Sequence, residues 1–341
     1  MYKFARPLLF RLDPETAHLL TLYALRITSA LPPFDWITRL MFYAPAKPVT
    51  AFGLRFKNPI GLAAGYDKDA LAISGLSMLG FGHIEIGTVT PLRQDGSPKP
   101  RLFRLPEDEA VINRMGFPSR GSSFVLSSVR RAAKKRSKNV ILGVNLGRNR
   151  DTPNEEAVFD YLSLVQVFAP FADYLTINVS SPNTPGLRQL QGRDALEGLL
   201  TQLHAQRQME ERKLEKRLPL LVKLAPDLSE SEVDDAVGVI LQTHIDGVIV
   251  TNTTLAREGL RSKYREESGG LSGSPLRSRS EAVLRQIVER AGGQIPVVSV
   301  GGIMNPDDAK RRLDMGAALI QIYTGMIYRG PGLVKAIARS L

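Results

Sequence analysis

From residue 59 onward, short apolar and β-branched runs alternate with helical stretches. The runs lie at 59–63, 84–87, 140–144, 174–179, 220–224, 247–250, 297–300 and 319–322, which makes eight. Several carry no polar alternation, as expected of strands covered on both faces. Helical patterns at 229–241, 280–291 and 306–315 separate some of them. Asn305-Pro306-Asp307-Asp308 is a good helix start, with Asn as cap and Pro in the first turn. Eight β-then-α units predict an α/β chain folded as a (β/α)8 TIM barrel. A doubly wound sheet is the competitor, but eight repeats fit closure better. Two polar excursions, 91–120 and 257–275, break the beat after the C-terminal ends of strands. Long loops at that face of a barrel shape or cover an active site.

The first 45 residues stand outside the repeat and predict a small N-terminal helical extension, 1–45, ahead of a barrel domain, 46–341. Asp13-Pro14-Glu15 starts a helix that runs to about residue 30 and is expected to end at Pro32-Pro33. Ala17, Leu20, Tyr23, Ala24 and Ile27 share one face, while Leu19, Leu22 and Leu25 lie on others, so the helix has more than one apolar stripe. Before it, Phe4, Leu8, Leu9 and Phe10 stand among Lys3, Arg6 and Arg11. A basic and apolar helical pair suits an interfacial membrane anchor. A helical cap on the barrel or a dimer contact suits it equally.

Composition removes several chemistries. The 341 residues include no cysteine, which excludes disulfides, thiolate metal sites, Fe–S clusters and a cysteine base; no metal site is expected. No apolar run reaches the length of a membrane-spanning helix, and Arg11, Asp13 and Glu15 interrupt the N-terminal run too early for a signal peptide. The net charge of +11 can attract nucleic acid, an anionic membrane or acidic ligands. The densest basic cluster, Arg130, Arg131, Lys134, Lys135 and Arg136, reads as the solvent face and end of a helix. No aromatics interleave with it, which disfavours nucleic-acid binding.

Candidate chemistry collects where the predicted strands end. These ends carry Lys68, Thr88, Asn145, Asn178, Lys223, Thr251-Asn252-Thr253, Gly301-Gly302 and Tyr323-Thr324-Gly325. A barrel brings them to one face. Gly301-Gly302 and Thr324-Gly325 follow the seventh and eighth strands, the usual phosphate site of this fold, so a phosphorylated cofactor or substrate is expected. Lys68 and Lys223 could stabilise an anionic reduced flavin or act as Schiff-base lysines. Asn113, Asn178, Asn183 and Asn252 favour the former, since their amides match the edges of a pyrimidine-like ring.

Longer runs carry a family resemblance. Ala63-Ala64-Gly65-Tyr66-Asp67-Lys68, Gly87-Thr88-Val89-Thr90-Pro91, Asn113-Arg114-Met115-Gly116-Phe117 and the stretch from Asn178 through Ser181, Asn183 and Thr184 to Arg188 resemble the dihydroorotate dehydrogenases. So do Thr251-Asn252-Thr253-Thr254 and Gly269-Gly270-Leu271-Ser272-Gly273. Soluble members of that family use a cysteine base; Ser181 holds the matching position here. The serine and the N-terminal extension resemble the membrane-associated, quinone-reducing class, which tips the extension toward a membrane and quinone role.

The resemblance implies oxidation of dihydroorotate to orotate, with FMN as cofactor and a membrane quinone as acceptor. It implies peripheral attachment to the cytoplasmic side of the inner membrane. The implied flavin contacts are Ala64, Gly65, Tyr66, Asp67, Lys68, Thr88, Asn145, Asn178, Lys223, Thr251, Gly273, Gly302, Tyr323 and Thr324. The implied substrate contacts are Lys68, Asn113, Arg114, Met115, Gly116, Phe117, Asn178, Asn183, Asn252 and Thr253, with Ser181 as the base that takes the C5 proton. A free serine is a poor base, so a relay through Thr184 or a water is expected. His18, Arg104 and Tyr323 match the quinone site. The chain departs from the family at Tyr66, where a plain apolar residue is commoner and altered packing beside the flavin is expected, and at Pro118-Ser119.

Two other readings have distinguishing marks. Hydroxy-acid oxidases of this fold rely on a histidine base, and none of His18, His83, His204 and His244 lies in a strand-end motif. A basic membrane-binding protein that merely retains a barrel would show decayed strand ends, and these are intact.

Overall fold

The computed structural model describes every residue except Met1, 134–136 and Lys138. Lys134, Lys135 and Arg136 of the basic cluster therefore lie outside the described residues. Eight strands close into a barrel: β1 (Ile60–Leu62), β2 (His83–Val89), β3 (Ile141–Leu146), β4 (Tyr174–Asn178), β5 (Leu220–Leu224), β6 (Gly247–Val250), β7 (Val297–Val300) and β8 (Leu319–Ile322). Each pairs in parallel with its neighbours, and β8 closes onto β1. Their residues are almost all buried, as parallel strands under a ring of helices must be. The doubly wound alternative is thereby excluded. Helices Glu230–Gln242, Arg277–Ala291 and Pro306–Asp314 fall where the periodicity predicts them, and Asn305 caps the last by accepting the Asp308 N–H.

A short antiparallel hairpin, Val49–Ala51 with Leu54–Phe56, sits at the opposite end of the barrel from the strand C-termini. Phe52 and Phe56 join the barrel interior there against Tyr174, Leu221, Ile249 and Val298. The apolar plug makes that end a floor, so chemistry is confined to the other.

The two polar excursions are not independent loops. Strands Leu102–Leu105 and Ala110–Asn113 form an antiparallel pair inside the first. Strand Gly270–Gly273 of the second pairs with Ala110–Asn113, making a three-stranded sheet over the barrel mouth.

The N-terminus forms three helices, α1 (Tyr2–Arg11), α2 (Pro14–Thr28) and α3 (Pro32–Met41), where two were expected. Asp13 caps α2 by accepting the Thr16 N–H at 2.9 Å. Pro32-Pro33 does not only stop α2; it also opens α3, because a proline in the first turn forfeits no helical hydrogen bond. Among the described residues, fourteen of the eighteen exposed large apolar side chains lie between Phe4 and Tyr43. The expected shared face of α2 divides: Ala17 is buried, as is Leu22 from another face, while Leu20, Tyr23, Ala24 and Ile27 are exposed. Among the described residues, no helix is long and apolar enough to cross a membrane.

Candidate active site

The C-terminal strand ends surround a cavity of about 990 Å³. Of the expected flavin contacts, Ala64, Gly65, Lys68, Thr88, Asn178, Lys223, Thr251, Gly273, Gly302, Tyr323 and Thr324 line it. Of the expected substrate contacts, Lys68, Asn113, Met115, Gly116, Phe117, Asn178, Asn183, Asn252 and Thr253 line it, together with Ser181.

Four expected residues do not. Asn145 stands behind the wall, where its Oδ1 accepts from Thr88 Oγ1 at 2.6 Å and from Asn178 Nδ2 at 3.1 Å. Asp67 is buried and accepts the amides of Leu71 at 2.7 Å and Ala72 at 2.8 Å, so its carboxylate anchors the loop after β1. Burial pushes its pKa up to about 6. Arg114 reaches outward to Glu267 at 2.6 Å, tying the two excursions together. Tyr66 does not line this cavity; it lines a second one.

The asparagines form a connected network. Asn178 Nδ2 donates to Thr88 Oγ1 at 2.9 Å, and its Oδ1 accepts from Ser180 Oγ at 3.1 Å. Asn252 Nδ2 donates to Ser180 Oγ at 3.0 Å. Asn183 Nδ2 donates to Asn113 Oδ1 at 3.1 Å, linking the loop after β4 to the sheet over the mouth. Ser181 Oγ accepts the Asn183 N–H at 3.2 Å, which leaves its proton free. The buried Thr184 hydroxyl has no hydrogen-bond partner among the described residues. A buried hydroxyl without a protein partner is open to a hydrogen bond from a water or a neighbouring group.

Two lysines charge the cavity. Lys68 donates to the Gly65 carbonyl at 2.6 Å, and burial pulls its pKa down to about 8. Lys223 is 5% exposed, and its ammonium makes no hydrogen bond among the described residues. Burial lowers its pKa, opposed by the Glu85 carboxylate below it. At the far wall, the amides of Gly302, Ile303, Thr324 and Gly325 donate to no protein acceptor among the described residues. Free amides suit a phosphate, and a free buried cation suits an electron-rich ring edge. The cavity therefore fits a flavin bearing a phosphate.

Sequence reasoning missed Glu85, Ser272 and Gln321. Ser272 and Gln321 line the cavity. Glu85 sits in the barrel interior and accepts from Asn145 at 2.8 Å, Tyr174 at 3.0 Å and Gln321 at 3.0 Å. A carboxylate inside the run 84–87 was the available signal.

The second cavity, about 1310 Å³, lies between the N-terminal helices and the barrel and is lined mostly by apolar groups. Tyr2, Leu9, Ala17, Ala24, Leu25, Phe42 and Met326 contribute, as do the expected His18, Arg104 and Tyr323. Tyr66 packs edge-on to His18 at 4.9 Å and to Tyr323 at 5.8 Å. Tyr323 borders both cavities, so the two approach each other there. Burial, then the Lys68 charge, pushes the His18 pKa down to about 4. Arg104 is not free: it donates to the carbonyls of Leu9 at 3.0 Å and Phe10 at 3.3 Å, binding the end of α1.

The family profile described as dihydroorotate dehydrogenase matches residues 47–341. A "dihydroorotate dehydrogenase (quinone)" from Janthinobacterium sp. (strain Marseille) is 46% identical over 342 residues, covering 100% of this chain and 98% of its own. Another of that name from Roseiflexus sp. (strain RS-1) is 48% identical over 344 residues, covering 100% of this chain and 93% of its own. Among solved structures, DHODH in complex with ferulenol from Eimeria tenella superposes with a TM-score of 0.88 at 39% identity, covering 98% of this chain and 93% of that one.

Proposed function

The chain belongs to the dihydroorotate dehydrogenase family, and on that premise we propose that its two cavities divide the reaction into two half-reactions. The protein is a flavin-dependent oxidoreductase of pyrimidine (UMP) biosynthesis that oxidises dihydroorotate to orotate with quinone as acceptor. We assign FMN as the flavin. When bound, it would supply the two-electron redox chemistry that links the substrate's C6–H to the quinone. The amides of Gly302, Ile303, Thr324 and Gly325 would hold its phosphate, and Ala64, Gly65, Thr88, Lys223, Thr251, Gly273 and Tyr323 the remainder. Asn145 acts through Thr88 and Asn178.

Asn113, Asn178, Asn183 and Asn252 bind the amide edges of the substrate ring, and Lys68 supplies positive charge for its carboxylate. Met115, Gly116, Phe117 and Thr253 wall the ring in. Ser181 takes the C5 proton. A serine hydroxyl cannot hold that proton at neutral pH without passing one on, and the orphaned Thr184 hydroxyl supports a relay. The observation that carries this reading is Ser181, four asparagines and Lys68 lining one cavity with a hydrogen-bond-free lysine and free amides.

The second cavity takes the quinone, with His18 neutral at pH 7 beside Tyr66 and Tyr323. Residues 1–45 form this acceptor and membrane unit, and 46–341 the catalytic unit. The exposed apolar side chains of α1–α3, with Lys3, Arg6 and Arg11 among them, favour reversible docking to the cytoplasmic face of the inner membrane. The test is dihydroorotate oxidation by purified protein with a soluble quinone, fumarate or NAD as acceptor. Turnover with quinone alone is expected. Turnover with fumarate or NAD would remove the acceptor assignment.

A further inference from the structure

The chain leaves β7 through Gly301-Gly302, and behind this turn lies a group of charged residues that do not themselves line the substrate cavity. Arg312 is wholly buried. Its guanidinium donates to the Gly301 carbonyl at 2.8 Å, to Ser280 Oγ at 2.8 Å and to the Arg277 carbonyl at 3.1 Å. Ser280 Oγ also lies 2.8 Å from the Gly301 oxygen. Arg277 Nε donates to the Gly302 carbonyl at 3.4 Å and pairs with Asp308 at 3.1 Å. Asp308 in turn accepts the Met304 amide at 2.9 Å. Glu281 lies 3.3 Å from Arg312 and 3.4 Å from Arg311.

Peptide planarity converts these contacts into a direction. The two peptide bonds after Gly301 and Gly302 are trans, so each carbonyl and the following N–H point to opposite sides. With the Gly301 and Gly302 oxygens pinned behind the turn, the Gly302 and Ile303 amides are aimed forward. Both residues line the cavity, and neither amide has a protein acceptor among the described residues. Gly302 is required by the same packing: its φ is +72°, and a Cβ there would meet the Arg277 Cα at 2.4 Å. The cluster holds three arginines, 277, 311 and 312, against Glu281 and Asp308, a balance of 3 − 2 = +1. That residual charge lies behind the two amides that have no protein acceptor among the described residues.

We propose that Arg312 and Arg277 are positioning residues whose clamp on the Gly301-Gly302 carbonyls aims two amides at the cofactor phosphate and so sets how tightly the cofactor is held. The proposal rests on the FMN reading above. An arginine is suited to the task because its planar fork holds several oxygens in one fixed geometry, whereas lysine's donors rotate about a single nitrogen. The clamp acts on the phosphate end alone, so it affects FMN and leaves riboflavin, which lacks the phosphate, unaffected.

The test uses full-length protein, wild type and the variants Arg312→Lys and Arg277→Gln, each loaded with FMN or with riboflavin. Flavin release on dilution is followed by recovery of flavin fluorescence. Each variant is expected to lose FMN affinity by about tenfold, the effect of one charge-assisted hydrogen bond, with riboflavin affinity unchanged within about twofold. Arg277 is partly exposed, so R277Q carries the test if R312K fails to fold. Equal loss of FMN and riboflavin affinity, or no loss of either, overturns the clamp. If wild-type protein holds riboflavin as tightly as FMN, the phosphate assignment itself fails and the clamp falls with it. If the wild type prefers FMN and the variants keep that preference, only the clamp is refuted.

Discussion

Replacing Ser181 by alanine separates chemistry from binding. The hydroxyl makes one hydrogen bond in the folded chain, accepted from the Asn183 amide at 3.2 Å. Losing a neutral bond of that kind costs about 1 kcal/mol, which is about fivefold in an equilibrium constant. Substrate affinity in S181A is therefore expected to weaken by no more than about fivefold. Losing a positioned proton acceptor slows a proton transfer by about 10²–10⁴-fold. No cysteine or histidine is placed to substitute: the chain has no cysteine, and none of its four histidines lines this cavity. The assay is anaerobic stopped-flow bleaching of the bound flavin by dihydroorotate, read as a limiting rate and a half-saturating concentration. The limiting rate should fall at least a hundredfold while half-saturation moves little. A fall below about tenfold, or a loss confined to half-saturation, would refute Ser181 as the base. A Thr184→Val variant should slow the same step without reaching the S181A rate if its hydroxyl relays the proton.

Three further outcomes follow from the geometry. Lys68 loses its charge as pH rises through about 8, so kcat/KM for the anionic substrate should fall above that pH, and the fall should be absent in K68M; an unchanged profile in K68M would assign it elsewhere. His18 stays neutral in the folded chain down to about pH 4 but takes up a proton near 6.5 when unfolded, so it makes stability decline as pH falls between those values; melting curves should show a shallower acid slope in H18Q. Phe4 and Trp36 are 87% and 65% exposed, and burying such side chains is worth about 1.5–3 kcal/mol each, so F4D and W36D should each lower co-sedimentation with anionic vesicles about tenfold or more while flavin reduction is unchanged; undiminished binding would exclude these helices as the docking surface.

Legibility in the sequence followed the range of the interactions. The barrel strands could be read because parallel strands buried on both faces must be apolar runs, and β5 to β8 begin and end where those runs do. The three-stranded sheet over the mouth could not, because it joins residues 110–113 to 270–273, and each looked like loop in isolation. Ala110-Val111-Ile112, an apolar run inside a polar excursion, was the one hint. Pro32-Pro33 was ambiguous because proline serves both as a stop and as a first-turn residue. At the site, the motif 64–68 gave the residues but not their directions. Gly65 and Lys68 face the cavity at the strand ends, Asp67 turns inward to cap a loop, and Tyr66 turns to the second cavity under the N-terminal helices. Side-chain direction at a strand's end depends on backbone geometry that a motif does not encode.

The division of the reaction between two cavities is tested most directly by measuring both half-reactions in one variant. Thr21 lines the acceptor cavity and is absent from the substrate cavity. In T21F, sequential-mixing stopped-flow should show flavin reduction by dihydroorotate at the wild-type rate, and reoxidation by quinone slowed at least tenfold. Equal slowing of both steps, or unimpaired reoxidation, would contradict separate sites.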